Sequence, residues 1–222
     1  VTRVGTTNDI FVDPAAPIYV SSDTSVITVS AGGVIEAVGE GAARVIVIHA
    51  FAEDDVAVTV ASPIMAASGQ IGAEGGALLS PDGVLVSFGG GQLTGPATVS
   101  VTSLDEADLG IPTPPDFDFV AGVAIDIDGA DLTGPMQLAV PTNGAGLAEG
   151  TEVFFFIEID YTELTGGEVG KVWTILDSGT VGADGIARTA SPPWPGLTKR
   201  GNVLVAAANK PLNFMSTHAP LL

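Results

Sequence analysis

Asp126-Ile127-Asp128-Gly129-Ala130-Asp131 is the most suggestive polar run in the sequence. On a strand, alternation puts Asp126 and Asp128 on one face, and a turn at Gly129 could fold Asp131 toward them. Three carboxylates with nearby carbonyls would begin a shell for Ca2+, which takes about six to eight oxygens. The order is not that of an EF-hand loop, which ends on a distant Glu. The same spacing also fits an ordinary strand whose Asp126 and Asp128 meet water while Val123, Ile125 and Ile127 face a core. Asp126, Asp128 and Asp131 are thus the candidate metal ligands, with a solvated strand face as the competing reading.

Other polar groups lie apart. Asp105-Glu106-Ala107-Asp108 and Asp116-Phe117-Asp118 bracket a Pro-rich stretch at 111–115, the longest candidate surface loop and either a second cation or partner site or a solvated loop. Glu53-Asp54-Asp55 suits a hairpin turn before Val56. Trp194, between Pro193 and Pro195, is the candidate ligand contact, able to stack on a sugar or a partner or to cover an open core edge. His49 and His218 are the only imidazoles, and neither sits in a nucleophile elbow or another triad context. Paired carboxylates could serve a glycosidase, but no aromatic-lined cleft is signalled, and Val153-Phe154-Phe155-Phe156 reads as core. The expectation is a protein that is not an enzyme.

The elements that must carry these groups are strands. Gly (29) and Pro (15) punctuate runs of Val, Ile and Thr, a pattern that predicts an all-β fold. Strand-like runs occur at 18–21, 26–29, 34–38, 43–51 and 56–60. Nine more follow, at 77–79, 84–88, 97–104, 119–128, 136–140, 153–161, 171–176, 186–189 and 203–208. Pro63 and the small residues after it mark a boundary. The expected organisation is two tandem β-sandwich, immunoglobulin-like domains at 1–62 and 70–208, with a linker at 63–69 and a tail at 209–222. Gln92-Leu93-Thr94-Gly95-Pro96 is echoed by Asp131-Leu132-Thr133-Gly134-Pro135, each preceding a strand.

Seven Lys plus Arg against 26 Asp plus Glu give a net charge of −19, a field that opposes nucleic acid and anionic membranes and favours cations, basic partners or solubility. A hydrophobic share of 46% places the chain outside the disordered class. Without Cys there is no disulfide framework. No apolar run reaches the roughly 18 to 20 residues of a spanning helix, so membrane insertion is not expected. The start at Val1 suggests a mature product or an excised piece.

Ser21-Ser22-Asp23, Val26-Ile27-Thr28-Val29, Gly33-Val34-Ile35, Ala37-Val38-Gly39, Gly41-Ala42-Ala43 and Val56 to Val60 follow one another in an order that resembles the bacterial immunoglobulin-like group 2 family over about 4–61. Arg44-Val45-Ile46-Val47-Ile48-His49 departs from that pattern, where small residues are usual. Gly75-Gly76-Ala77, Pro81-Asp82-Gly83-Val84, Leu93 to Val101, Met136 to Pro141 and Val172-Trp173 followed by Asp177 resemble, more loosely, the β-sandwich domain of zonula occludens proteins and netrin receptors over about 69–208. Some relatives of that domain cleave themselves at a His-Phe-Ser triplet. Pro192-Pro193-Trp194-Pro195-Gly196 stands there instead, so self-cleavage is not implied. The resemblances imply a structural, spacer or adhesive module of a secreted or cell-surface bacterial protein, with other protein domains, copies of itself or carbohydrate as partners. A fibre subunit joined by strand donation, with 1–9 and 209–222 as donors, and a Ca2+-assisted adhesin are the alternatives.

Overall fold

In a computed structural model the chain is all-β, with one 3-10 turn at Glu106–Asp108 among the described residues. The structure describes residues 2–4, 10–12, 16–49, 52–142, 144–160, 170–191 and 194–211. Two units divide the chain, Val1–Ser62 and Pro63–Leu222.

The first unit holds β1 (Thr2–Val4), β2 (Ile10–Val12), β3 (Ile18–Ser21), β4 (Ile27–Val29), β5 (Ile35–Ala37), β6 (Gly41–His49) and β7 (Ala52–Val60). β1 and β2 pair with each other, β3-β6-β7 form a three-stranded sheet, and β4-β5 form a two-stranded one. Val26 and Ile27 from one sheet meet Ala43 and Val45 from the other in a small core. Glu53, Asp54 and Asp55 are not in a turn: they pair with Ile48, Val47 and Ile46 inside the hairpin, whose connection at 50–51 lies outside the described residues. The departure at 44–49 follows from two-sided use of β6. Val45 points into the core, whereas Ile46 and Ile48 sit across from Val20 and Ile18 on the outer face, and Arg44 pairs with Asp55 at 2.8 Å.

The second unit contains all nine predicted strands and two more: β8 (Ile64–Met65), β9 (Ser68–Ile71), β10 (Gly76–Leu79), β11 (Leu85–Phe88), β12 (Ala97–Leu104), β13 (Phe117–Asp128), β14 (Gln137–Pro141), β15 (Glu152–Asp160), β16 (Lys171–Val181), β17 (Ile186–Thr189) and β18 (Gly201–Ala208). They form one 11-stranded sheet in the order β8-β10-β11-β14-β17-β16-β15-β18-β13-β12-β9. Its two end strands are neighbours in sequence. β8 lies parallel to β10 and, after Ala66-Ala67, β9 lies antiparallel to β12. The stretch expected to be a linker at 63–69 therefore supplies both ends of a sheet that nearly closes on itself. Small residues suit that work: Gly69 passes against Ile64 and Leu78, leaving no room for a side chain.

Inside the sheet, Val86, Val99, Val123, Leu138, Phe155 and Val203 belong to one buried core. β15 and β18 are buried on both faces, as the unbroken runs Val153–Ile157 and Val203–Ala207 show. On the outer face a second cluster gathers Phe154, Phe156, Leu204 and Ala206 under Leu109. Phe117 meets Phe154 and Phe156 edge-on at 5.6 and 4.9 Å, the arrangement that suits ring quadrupoles. β16 runs five residues past its expected end. Asp177-Ser178-Gly179 looks like a turn signal, but Leu176 is an extra residue in a bulge against Phe155 and Phe156, and Gly179 is required by packing, because a Cβ there would stand 1.7 Å from the Arg188 carbonyl oxygen.

Candidate functional site

β13 holds Asp126 and Asp128 exposed, between buried Ile125 and Ile127. Across on β12 they face Ser100 and Thr98. Asp131 lies on the crossing connection that follows β13. Its N–H donates to Thr94 Oγ1 at 3.0 Å, and its carbonyl accepts the Thr94 N–H at 3.0 Å. Thr133 N–H donates to the Gln92 carbonyl, Thr133 Oγ1 to the Gly91 carbonyl, and Leu93 bridges Leu132. The two sequence echoes are thus paired with each other. One leads from β11 to β12 and the other from β13 to β14, so two of the unit's crossing connections are tied to each other.

Asp131 also borders a shallow cleft of about 500 Å3 with Ile127, Ala130 and Leu132 as apolar lining and Lys199 and Arg200 as its cations. Arg200 donates to the Ile127 carbonyl. Continuing the β13–β18 register by one step past Ile125↔Gly201 sets Arg200 opposite Asp126. Asp131 thus has cations beside it, and among the described residues no three His, Cys, Asp or Glu side chains gather as a metal site.

The Pro-rich segment, with Leu109 just before it, packs onto the second unit. Leu109 is buried over the outer aromatic cluster, and Trp173 Nε1–H donates to the Pro112 carbonyl at 3.1 Å. Asn209 and Lys210, expected in a loose tail, hold its end: Asn209 N–H donates to the Asp116 carbonyl and its amide to Asp118, while Lys210 pairs with Asp116 at 2.5 Å. Trp194 is half-buried against the same cluster, covering core where an exposed stacking platform was the alternative. His49 lies on β6 of the first unit, and His218 is outside the described residues.

Sequence reasoning passed over Asp177 as a site. Its carboxyl is fully buried; Oδ1 accepts the Ser178 N–H at 2.8 Å, and Oδ2 has no partner among the described residues. Ala190 N–H to the Ser178 carbonyl and Gly196 N–H to the Leu176 carbonyl fasten the chain on either side of it. Ser191 Oγ is likewise buried without a partner among the described residues. Asp177-Ser178-Gly179 reads locally as a turn, so no sequence signal marked the buried carboxyl.

Several cations are committed to internal pairs. Arg188 donates to both oxygens of Asp184, and its hydrogen bond holds that carboxyl down to about 2. Lys171 pairs with Glu158, whose hydrogen bond raises the ammonium above its ordinary range. No protein-family model, curated protein or solved structure matches the chain. No helix among the described residues is long and apolar enough to cross a membrane.

Proposed function

We propose that the chain is a non-catalytic structural or adhesive tandem of two immunoglobulin-like sandwich modules in a secreted or cell-surface protein. One observation carries the reading: Asp131, the Pro-rich segment and Trp194, which the sequence offered as chemistry, serve as architecture. Asp131 ties the crossing connections, the acidic Pro-rich segment lids the outer cluster, and Trp194 seals that cluster's flank. The resemblances noted in the sequence support the same reading, as does an acidic surface that repels nonspecific contact.

Thermal unfolding in millimolar Ca2+, against NaCl of matched ionic strength and against EDTA, tests it. A ligand specific to the folded state raises stability as RT ln(1 + [L]/Kd). An unchanged Tm is the expected result. A rise of several degrees that Asp126→Asn or Asp128→Asn removes would replace the structural reading with a Ca2+-assisted adhesin.

A second reading, self-assembly through strand donation, is favoured by the outward edge of β5, which no strand among the described residues pairs with.

A further inference from the structure

β5 is the incomplete edge of the first unit. Ser30 N–H donates to the Val34 carbonyl and Val38 N–H to the Val26 carbonyl, both at 2.9 Å. In an antiparallel ladder the main-chain groups alternate sides, so those of Ile35 and Ala37 point away from β4. Among the described residues no strand pairs with that side. The side chains give the same account. Ile35 lies across from Val29 and Ala37 across from fully buried Ile27, so both occupy the core-facing side. Yet Ile35 is 45% exposed, and on the facing sheet Val56, across from buried Val45, is 55% exposed. Core-facing side chains left this wet mark a sandwich short of a strand, and a two-stranded ribbon is marginal by itself.

On β4, the other strand of the ribbon, the outward Ile27 N–H is taken by the Asp23 carbonyl at 3.0 Å. β7 carries Glu53, Asp54 and Asp55, charges that discourage another strand. β3 has the Tyr19 ring lying against Gly33 of the β4–β5 turn. β1 and β2 already use their facing main-chain groups on each other.

We propose that the β5 edge accepts residues 212–222 of a second copy as an added strand. In a chain with 26 Asp plus Glu, this segment holds none, so it can approach an acidic unit without like-charge repulsion. Leu212 and Phe214 alternate with Asn213 and Met215, giving one apolar side for Ile35 and the open core and main-chain groups for Ile35 and Ala37. Donor and acceptor belong to different units, so the contact joins unlike surfaces. Repetition then builds an open chain of subunits in preference to a closed pair. This inference deepens the structural-module reading and rests on it.

The test compares the full chain with one truncated after Pro211 by sedimentation velocity over a wide concentration range, and titrates a labelled peptide of residues 212–222 into the truncated chain. The full chain forms species larger than a monomer that grow with concentration, and truncation abolishes them. The peptide binds the truncated chain, and Ile35→Lys weakens that binding by at least about tenfold, equivalent to about 1.4 kcal/mol. Ala37→Pro, which removes an outward N–H, is the second acceptor variant, with circular dichroism reporting that each remains folded. A full chain that stays monomeric overturns the proposal, whether the peptide fails to bind or binds because the segment closes its own chain's edge. Binding indifferent to Ile35→Lys and Ala37→Pro overturns it too. A Ca2+-dependent Tm would sink the structural reading while leaving these outcomes unchanged.

Discussion

In the unit Pro63–Leu222 the segment that opens the sheet also ends it, with β8 on one rim and β9 on the other. In the unit Val1–Ser62 the sheets among the described residues hold three strands or two, and Ile35 and Val56 stay wet on the sides that face the core. The two units use the same strand-forming alphabet, so propensity does not separate them. Closure does. A sheet that nearly returns to its own start brings its two end strands from one short segment and buries both faces of β15 and β18. Small sheets of two and three strands keep only the small core of Val26, Ile27, Ala43 and Val45. The acceptor experiment above probes the open side of this contrast.

The sharpest way to break the contrast is Phe154→Ala. Phe154 belongs to the outer cluster, fully buried beside Phe117 and Phe156. If the second unit has two cores, the substitution costs about 3–5 kcal/mol, the range for emptying a buried aromatic site, and matches Phe155→Ala in the inner core. Trp173 and Trp194 are the only tryptophans and both lie in this unit, so denaturation followed by tryptophan fluorescence reads it selectively. A cost near 1 kcal/mol would reduce the outer cluster to a surface dressing.

Thr94→Val is a smaller cut. It removes the hydroxyl that accepts the Asp131 N–H while keeping the shape of the side chain. The expected loss is about 1 kcal/mol, the net worth of one such hydrogen bond. The tryptophan-detected transition should move by that amount, while the first unit's amide exchange stays unchanged. An unchanged midpoint would mean that the crossing connections do not brace the closed sheet.

How much of this could be read beforehand follows the periodicity. The strands from Ala77 to Ala208 were legible because alternation and turn residues are local signals. β8 and β9 were not, since Pro63 and the small residues after it look the same in a linker and in a strand that needs close approach, and only their distant partners, β10 for β8 and β12 for β9, distinguish them. β16 was cut short at Leu176 because a bulge and a Gly in tight contact share their residues with a turn. For the site, alternation placed Asp126 and Asp128 correctly on an exposed face, but Asp131 depended on pairing with Thr94, a partner 37 residues away that no local rule supplies. The echo of the two Leu-Thr-Gly-Pro stretches was visible; that they bind each other was not.

The finest comparison lies in two surface carboxyls, one per unit. In the first, the Ser25 hydroxyl and N–H donate to Asp23 Oδ1 at 2.6 and 2.9 Å and hold its carboxyl below the usual range. In the second, the Arg188 guanidinium holds Asp184 down to about 2 from an ordinary 3.8. A carboxyl depressed on folding contributes stability that is complete above its unfolded value and fades as pH falls through the folded one. For Asp184 that window runs from about pH 4 down to about pH 2. Both partners are about half exposed, so solvent screens the pair and the effect is the smallest considered. Wild type and Asp184→Asn should differ by a constant small margin above pH 5 in tryptophan-detected unfolding and converge near pH 2. Asp23→Asn should leave that tryptophan transition unmoved at every pH, because its hydrogen bonds stabilise the other unit. A matching shift from Asp23→Asn would show that the two units unfold as one and that their different edges do not give them separate stabilities.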